Sequence, residues 1–176
     1  MPILYSCLLI ILQNTMIVYD FNSDSKANDW LVVDDVVMGG RSDGNFYINE
    51  DGNGVFEGEV SLENNGGFSS VRHTCKTINA KEYSKVRLHV KGDGKTYQLR
   101  LKSKKNNYYT YAAYFQSDNN WEAIDIPFEA LLPVFRGRDL NLPHFQGDTI
   151  EEVGILIANK KAQSFKLVID KIELIK

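Results

Sequence analysis

The chain has 176 residues, 43% of them apolar, with a net charge of −3 at pH 7 and a pI near 5.6. That length predicts one domain able to bury a core without disulfides or metals. The acidic balance, with no dense basic stripe, excludes an electrostatic nucleic-acid binder.

Residues 3–12 form an apolar run of signal-peptide length that is too short to span a bilayer. No Lys or Arg precedes it, and no small-residue cleavage site follows. Two readings stay open. Residues 1–15 are an imperfect export signal, or they are an extension ahead of a start at Met16. The first makes the protein exported and the second cytoplasmic; both place one folded domain at 16–176. Leu4-Tyr5-Ser6-Cys7 lacks the preceding apolar run of a lipoprotein box, and no Arg-rich organellar presequence is present. The two cysteines, Cys7 and Cys75, predict no structural disulfide.

Residues 17–21 predict an opening strand. Phe46-Tyr47-Ile48 and Val55-Phe56 flank Glu50-Asp51-Gly52-Asn53-Gly54, where Asp-Gly suits a type I′ hairpin turn. Val86, Leu88 and Val90 alternate with Arg87, His89 and Lys91. Gly92-Asp93-Gly94 then turns the chain, and Tyr97, Leu99 and Leu101 alternate with polar neighbours. This predicts a second hairpin with one face buried and one wet. Residues 108–115 read as an aromatic strand, and residues 121–126 as another ended by Pro127. Only residues 128–132 look helical, and Pro133 stops them within about one turn. Residues 153–158 are a continuous apolar run, as expected of a central strand. Phe165, Leu167 and Ile169 alternate with Lys166, Val168 and Asp170, and Ile172 and Leu174 close the chain. Many short strands with few helices predict an all-β fold: a β-sandwich of jelly-roll type.

Two glycine-bearing stretches carry the most information. They are Asp34-Asp35-Val36-Val37-Met38-Gly39-Gly40-Arg41-Ser42 and Asn64-Asn65-Gly66-Gly67-Phe68-Ser69-Ser70-Val71-Arg72. A Gly pair lets the backbone take positive φ or pack with no Cβ in the way. The candidate binding residues are Asp35, Met38, Gly39, Gly40, Ser42, Gly66, Gly67, Phe68 and Arg72, joined by Arg136 and Arg138 from a third loop. Guanidinium groups bind carboxylates bidentately. These residues therefore either lock the loops to one another or form a recognition surface at one end of the sandwich. Met38 and Phe68 would be its apolar anchors. The alternative site is a sugar-stacking platform on Tyr109 and Tyr111, within the stripe Tyr108, Tyr109, Tyr111, Tyr114 and Phe115. The competing account of that stripe is core plus rim.

Familiar chemical motifs fail on inspection. Gly94-Lys95-Thr96 resembles the end of a P-loop, but His89 stands where a glycine is needed and a strand follows instead of a helix. Asn49 to Gly54 resembles a calcium loop, yet position twelve would be Val60. Calcium held elsewhere by loop carbonyls stays open. His73 and Cys75 share a face of a predicted strand, which is a weak metal signal. No Gly-x-Ser-x-Gly elbow or nucleophile–base pair is visible. No cofactor and no metal are expected, and a jelly-roll lyase or hydrolase is the least favoured function.

The chain resembles the complex I intermediate-associated protein 30 family across about residues 17–176. The matching residues are Trp30, the two glycine stretches, Gly44 and Phe56-Glu57-Gly58. Trp121, Ile126-Pro127-Phe128, Pro133, Arg136-Gly137-Arg138 and residues 165–172 follow. The resemblance implies a galactose-binding-like jelly roll without catalytic activity. It implies a chaperone-like assembly factor whose partner is a protein client, such as a respiratory-complex subunit or assembly intermediate. A jelly-roll carbohydrate-binding module, with a glycan partner, is the alternative. No transmembrane span and no nucleic-acid partner are expected. The chain departs from the family at the missing organellar presequence. It departs again at Ala162-Gln163-Ser164, where the family often has a glycine before the Phe.

Overall fold

Alternation along the chain sorts side chains onto two faces, and the apolar faces of two sheets pack together into one core. The computed structural model describes residues 15–176. The apolar run at 3–12 and Cys7 lie outside the described residues. The strands, in chain order, are β1 (Thr15–Asp20), β2 (Leu31–Asp34), β3 (Asp43–Ile48), β4 (Gly54–Val60), β5 (Ser69–Asn79), β6 (Lys85–Lys91) and β7 (Thr96–Lys102). They continue with β8 (Thr110–Gln116), β9 (Glu122–Pro127), β10 (Leu132–Phe135), β11 (Arg138–Asp139), β12 (Thr149–Ile157) and β13 (Gln163–Ile175). Single 3-10 turns stand at Ala27–Asp29, Asp35–Met38, Glu63–Asn65 and Phe128–Ala130.

The first sheet runs β3-β4-β13-β6-β9, with β1 continuing the β4 edge of β13; the second runs β11-β10-β8-β7-β12-β5-β2. All pairings are antiparallel, the arrangement of a jelly-roll sandwich. The apolar run predicted as central, β12, lies inside its sheet, and the alternating strand β13 lies inside the other. On β13 the residues that join the core are Phe165, Leu167 and Ile169, then Ile172 and Leu174. The parity changes because a bulge interrupts the register between Ile169 and Lys171.

Of the two predicted hairpins, β3–β4 forms with a different turn and the other does not form. The β3–β4 connection is five residues, 49–53, and among them only Gly52 has positive φ, at 84°. The Asn49 side chain shapes this loop by accepting the Asn53 N–H at 2.8 Å. It is therefore not a two-residue type I′ turn. More consequentially, β6 and β7 are not partners: β6 pairs with β13 and β9, and β7 with β12 and β8. Residues 92–95 carry the chain from one sheet to the other. The Gly92 and Gly94 N–H groups donate to the Asp118 and Ser117 carbonyls at 2.7 and 2.8 Å. Asp93 accepts the Tyr97 hydroxyl at 3.0 Å and the Lys166 N–H at 2.8 Å, which ties both layers to this corner.

Phe56 of β4 is fully buried, its ring 4.7 Å from that of Phe165. Replacing it by Ala should cost about 3–5 kcal/mol through lost burial and a residual cavity. Guanidinium unfolding of Phe56→Ala checks this. A loss below about 1 kcal/mol would mean the site collapses freely and the two sheets do not share a rigid core there.

Candidate functional site

Strand β2 runs directly into the turn Asp35–Met38. Gly39 ends that turn in the left-handed region, φ 90°, and donates its N–H to the Val36 carbonyl at 2.9 Å. This is the conformation for which glycine carries no Cβ penalty. The Gly40 N–H donates to the Asp35 carbonyl at 3.0 Å. The second loop leaves β4, makes its own turn at Glu63–Asn65, and enters β5 through Gly66, Gly67 and Phe68.

Both loops close on one carboxylate. Asp35 is 0% exposed. Its Oδ1 accepts the Ser42 N–H at 2.9 Å. Its Oδ2 accepts the Ser42 hydroxyl, the Gly67 N–H at 2.6 Å and the Phe68 N–H at 3.2 Å. The Asp35 N–H donates in return to the Phe68 carbonyl at 3.3 Å, and Ser42 Oγ accepts the Ser61 N–H at 3.0 Å. Gly40 and Gly66 are needed here for close approach. A Cβ on Gly40 would lie 2.2 Å from Oδ1, and one on Gly66 would lie 2.5 Å from Oδ2.

Burial alone would push the Asp35 carboxyl up. The hydrogen bonds from Ser42, Gly67 and Phe68 together outweigh it and hold the group below the ordinary aspartate value. On the surface, Arg41 and Glu63 link the loops at 3.0 Å, but both are exposed, so this pair contributes about 0–1 kcal/mol.

The structure therefore gathers Asp35, Gly39, Gly40, Ser42, Gly66, Gly67 and Phe68 at one end of the sandwich. Met38 stands on the surface there, 65% exposed, while Phe68 is half-buried. Val36, Val37 (73% exposed) and Leu62 join Met38 outside. The sequence reading missed these three. The signal for Val36 and Val37 was the apolar run Val36-Val37-Met38, breaking strand alternation just before a Gly pair; Leu62, single among polar neighbours, had none.

The arginines do not join this cluster. Arg72 is the fourth residue of β5 and turns onto the outward face of the second sheet. Arg136 and Arg138 lie at β10–β11, five to six strand spacings from β2 across that sheet, about 24–29 Å at the usual separation. Arg136 (φ 50°) and Gly137 (φ 74°) close a two-residue hairpin there, and Arg136 sits over the Phe135 ring at 5.2 Å. Grouping these three with the glycine loops is corrected accordingly. The tyrosine stripe also divides. Tyr111 faces inward, its ring 5.3 Å from that of Phe145, and its hydroxyl lies 3.4 Å from that of Tyr109. Burial, reinforced by Tyr109, pushes the Tyr111 phenol up to about 12. The outward tyrosine of β8 is Tyr114. His73 stacks on Trp30, with Nδ1 2.8 Å from the Asp29 carbonyl oxygen.

A family profile described as Complex I intermediate-associated protein 30 (CIA30) matches residues 19–169, which include both glycine loops. The chain belongs to this family. The mouse protein named Complex I intermediate-associated protein 30, mitochondrial, is 23% identical over 92% of the chain. The chain spans 56% of the length of that relative. Among solved structures, the family 11 carbohydrate-binding module of a cellulosomal cellulase of Clostridium thermocellum superposes with a TM-score of 0.66 at 14% identity. It covers 93% of this chain and 95% of the module. A family 11 module from the same organism, in complex with a mixed-linked β-1,3-1,4 tetrasaccharide, gives 0.64 at 17% identity over 92% and 95%. At such identities the likeness shows the fold alone. Among the described residues no helix is long and apolar enough to cross a membrane.

In this CIA30-family chain, Asp35→Asn should lose about 1–3 kcal/mol at pH 7, because buried donors lose their charged acceptor. The Asp35 carboxyl is depressed in the folded state. Its contribution is thus full above the unfolded value near about 3.9 and is lost as pH falls through the folded value. Denaturant unfolding across pH should show the gap between wild type and variant wide at neutral pH and closing in acid. A gap that stays constant into strong acid contradicts this role for the carboxylate.

Proposed function

We propose that this CIA30-family chain is a non-catalytic docking module, a chaperone-like assembly factor whose partner is a protein. The client is a subunit or intermediate of the respiratory complex that the family name cites. The observation that carries this is the exposed apolar group Val36, Val37, Met38 and Leu62 around a backbone fixed by Asp35. Leu62 belongs to the same surface: its Cδ2 lies 3.3 Å from where a Cβ on Gly67 would stand. Apolar side chains on a rigid mount are what partner surfaces use as anchors, since little ordering is left to do on binding. Met38 adds an unbranched thioether that adapts to irregular partners. Family membership and the binding-module-like fold support a non-enzymatic protein.

The jelly-roll likeness supports carbohydrate binding as the second reading. The platform first considered for it, Tyr109 and Tyr111, is weakened because Tyr111 is turned into the core.

The test is the double variant V37E/M38E. Both positions are exposed, so its stability should stay within about 0.5 kcal/mol of wild type. Tagged wild type purified from its native cells should enrich subunits of respiratory complex I, and the variant should lose them. Equal recovery with both proteins would sink this surface, and no enrichment with either would sink the assembly role.

A further inference from the structure

The outward face of the second sheet carries a row of six residues in register across six strands. It reads Leu31 (β2), Arg72 (β5), Gly154 (β12), Arg100 (β7), Ala112 (β8) and Leu132 (β10). The ends are large and exposed: Leu31 66% and Leu132 51%. Between them the small residues Gly154 and Ala112 alternate with Arg72 and Arg100. This profile makes a trough with an arginine on each side of a bare glycine floor. Cγ of Arg72 lies 3.3 Å from where a Cβ on Gly154 would stand, so the Arg72 stem leans over the glycine towards Arg100. One strand separates the two arginines, which places their Cα atoms about 10 Å apart, within reach of a single shared oxyanion.

These charges have no acid to answer them. The seven ion pairs among the described residues include neither Arg72 nor Arg100. The first fourteen residues contain no Asp or Glu. Glu152 shares the face, but it stands two residues along β12 from Gly154, level with Lys102, and among the described residues it forms an ion pair with neither arginine. Arg100 is positioned by Gln98, whose Oε1 accepts its Nε–H and Nη2–H at 3.1 and 2.9 Å. Burial, then the charge of Arg72, push the Arg100 guanidinium down to about 10, against a smaller effect of Tyr114. It is still protonated at neutral pH, so two like charges face each other without a counterion.

We propose that this trough binds the carboxylate of a uronic acid residue in an acidic polysaccharide, held by Arg72 and Arg100, with Tyr114 against the sugar ring. A carboxylate accepts two parallel N–H bonds from a guanidinium, which fits a site with two of them. Tyr114, 72% exposed, stands in the adjoining row opposite Gln98 and offers an apolar ring face beside the charge. A sugar acid presents a carboxylate and a flat ring together. An acidic peptide fits less well. Strands β5, β12, β7 and β8 are paired on both sides, so this face offers a peptide no backbone partners. The site stands apart from the apolar surface at Val36–Met38, and the proposal does not depend on the assembly role.

Calorimetric titration of the full chain with tri-galacturonate and tri-mannuronate tests it, beside cellotriose and a hexaglutamate peptide. At least one uronate should bind, and cellotriose should not. Arg72→Met and Arg100→Met should each weaken binding by at least about tenfold, the loss expected when a charged hydrogen-bond partner goes. Melting temperatures should hold, because each substitution relieves a repulsion. Tyr114→Ala keeps the test decisive if an arginine variant fails to fold: it removes an exposed ring and should weaken binding several-fold. V37E/M38E should bind uronate like wild type even where it has lost its protein client. The proposal is overturned if neither uronate binds, if Arg72→Met and Tyr114→Ala bind as wild type does, or if hexaglutamate binds as tightly as the uronates.

Discussion

The fold turns on one buried negative charge that four protein donors solvate. Asp35 follows the second-sheet strand β2 and opens the turn after it, and Ser42 begins the approach to first-sheet strand β3. Ser61 follows first-sheet strand β4, and Gly67 and Phe68 lead into second-sheet strand β5. Two crossings between layers thus meet on a single side chain. A carboxylate moved from water to a protein interior is costly unless its oxygens are satisfied. Here each oxygen is answered by N–H or O–H groups fixed by the loops themselves. The cost of burial becomes a condition on geometry: both crossings must be in place together, or the charge is unsolvated. The absent side chains at Gly40 and Gly66 leave the room that makes this possible.

That condition explains why Val36, Val37 and Met38 can stand in solvent without the turn rearranging to hide them. The turn is held at Asp35 on one side and at Gly39 and Gly40 on the other. Rotating the apolar residues inward would pull the carboxylate out of its donors. The energetic reward of burying three modest side chains, about 1.5–3 kcal/mol each at most, competes with the loss of several charge-assisted hydrogen bonds. The exposed residues are therefore a consequence of how the corner is built, and a partner can cover them without reshaping it.

The sequence revealed strands better than their partners. Alternation in Val86, Leu88, Val90 and in Tyr97, Leu99, Leu101 marks β6 and β7 correctly. Period two says which face is buried, not which strand lies alongside, so a crossing between layers read as a hairpin. The bulge at β13 was visible as a parity switch from Ile169 to Ile172. In the candidate site the glycine pairs were legible because only glycine tolerates such close approach. Their shared acceptor was not. Asp34 and Asp35 are adjacent and identical in kind, yet Asp34 Oδ2 accepts the Gly44 N–H at 2.9 Å while Asp35 gathers both loops. The inward turn of Tyr111 was legible in principle. It shares parity with Ala113 and Phe115, both buried, and Tyr114 does not. The separation of Arg136 and Arg138 from the loops was hidden, since an Arg-Gly hairpin lacks the Asn or Asp that usually marks such a turn.

The two outward faces also treat cations differently. On the first sheet, Asp125 accepts from both Arg87 and Lys85, at 2.6 Å each, and Arg87, supported by Lys85, holds its carboxyl down to about 2. On that face Lys166 meets Glu57 at 2.8 Å. Cross-strand opposite charges are the ordinary way a wet sheet face settles its electrostatics. The second sheet has the same means available, since Gly154 sits between two arginines where an acidic side chain would bridge both. A Cβ there would meet the Val71 carbonyl oxygen at 2.8 Å, so the backbone approach forbids the residue that would neutralise the pair. The counter-charge must then come from outside the ladder. A ligand that supplies it meets two half-buried donors, one already positioned by Gln98, which is worth more than the same contact at a fully exposed arginine.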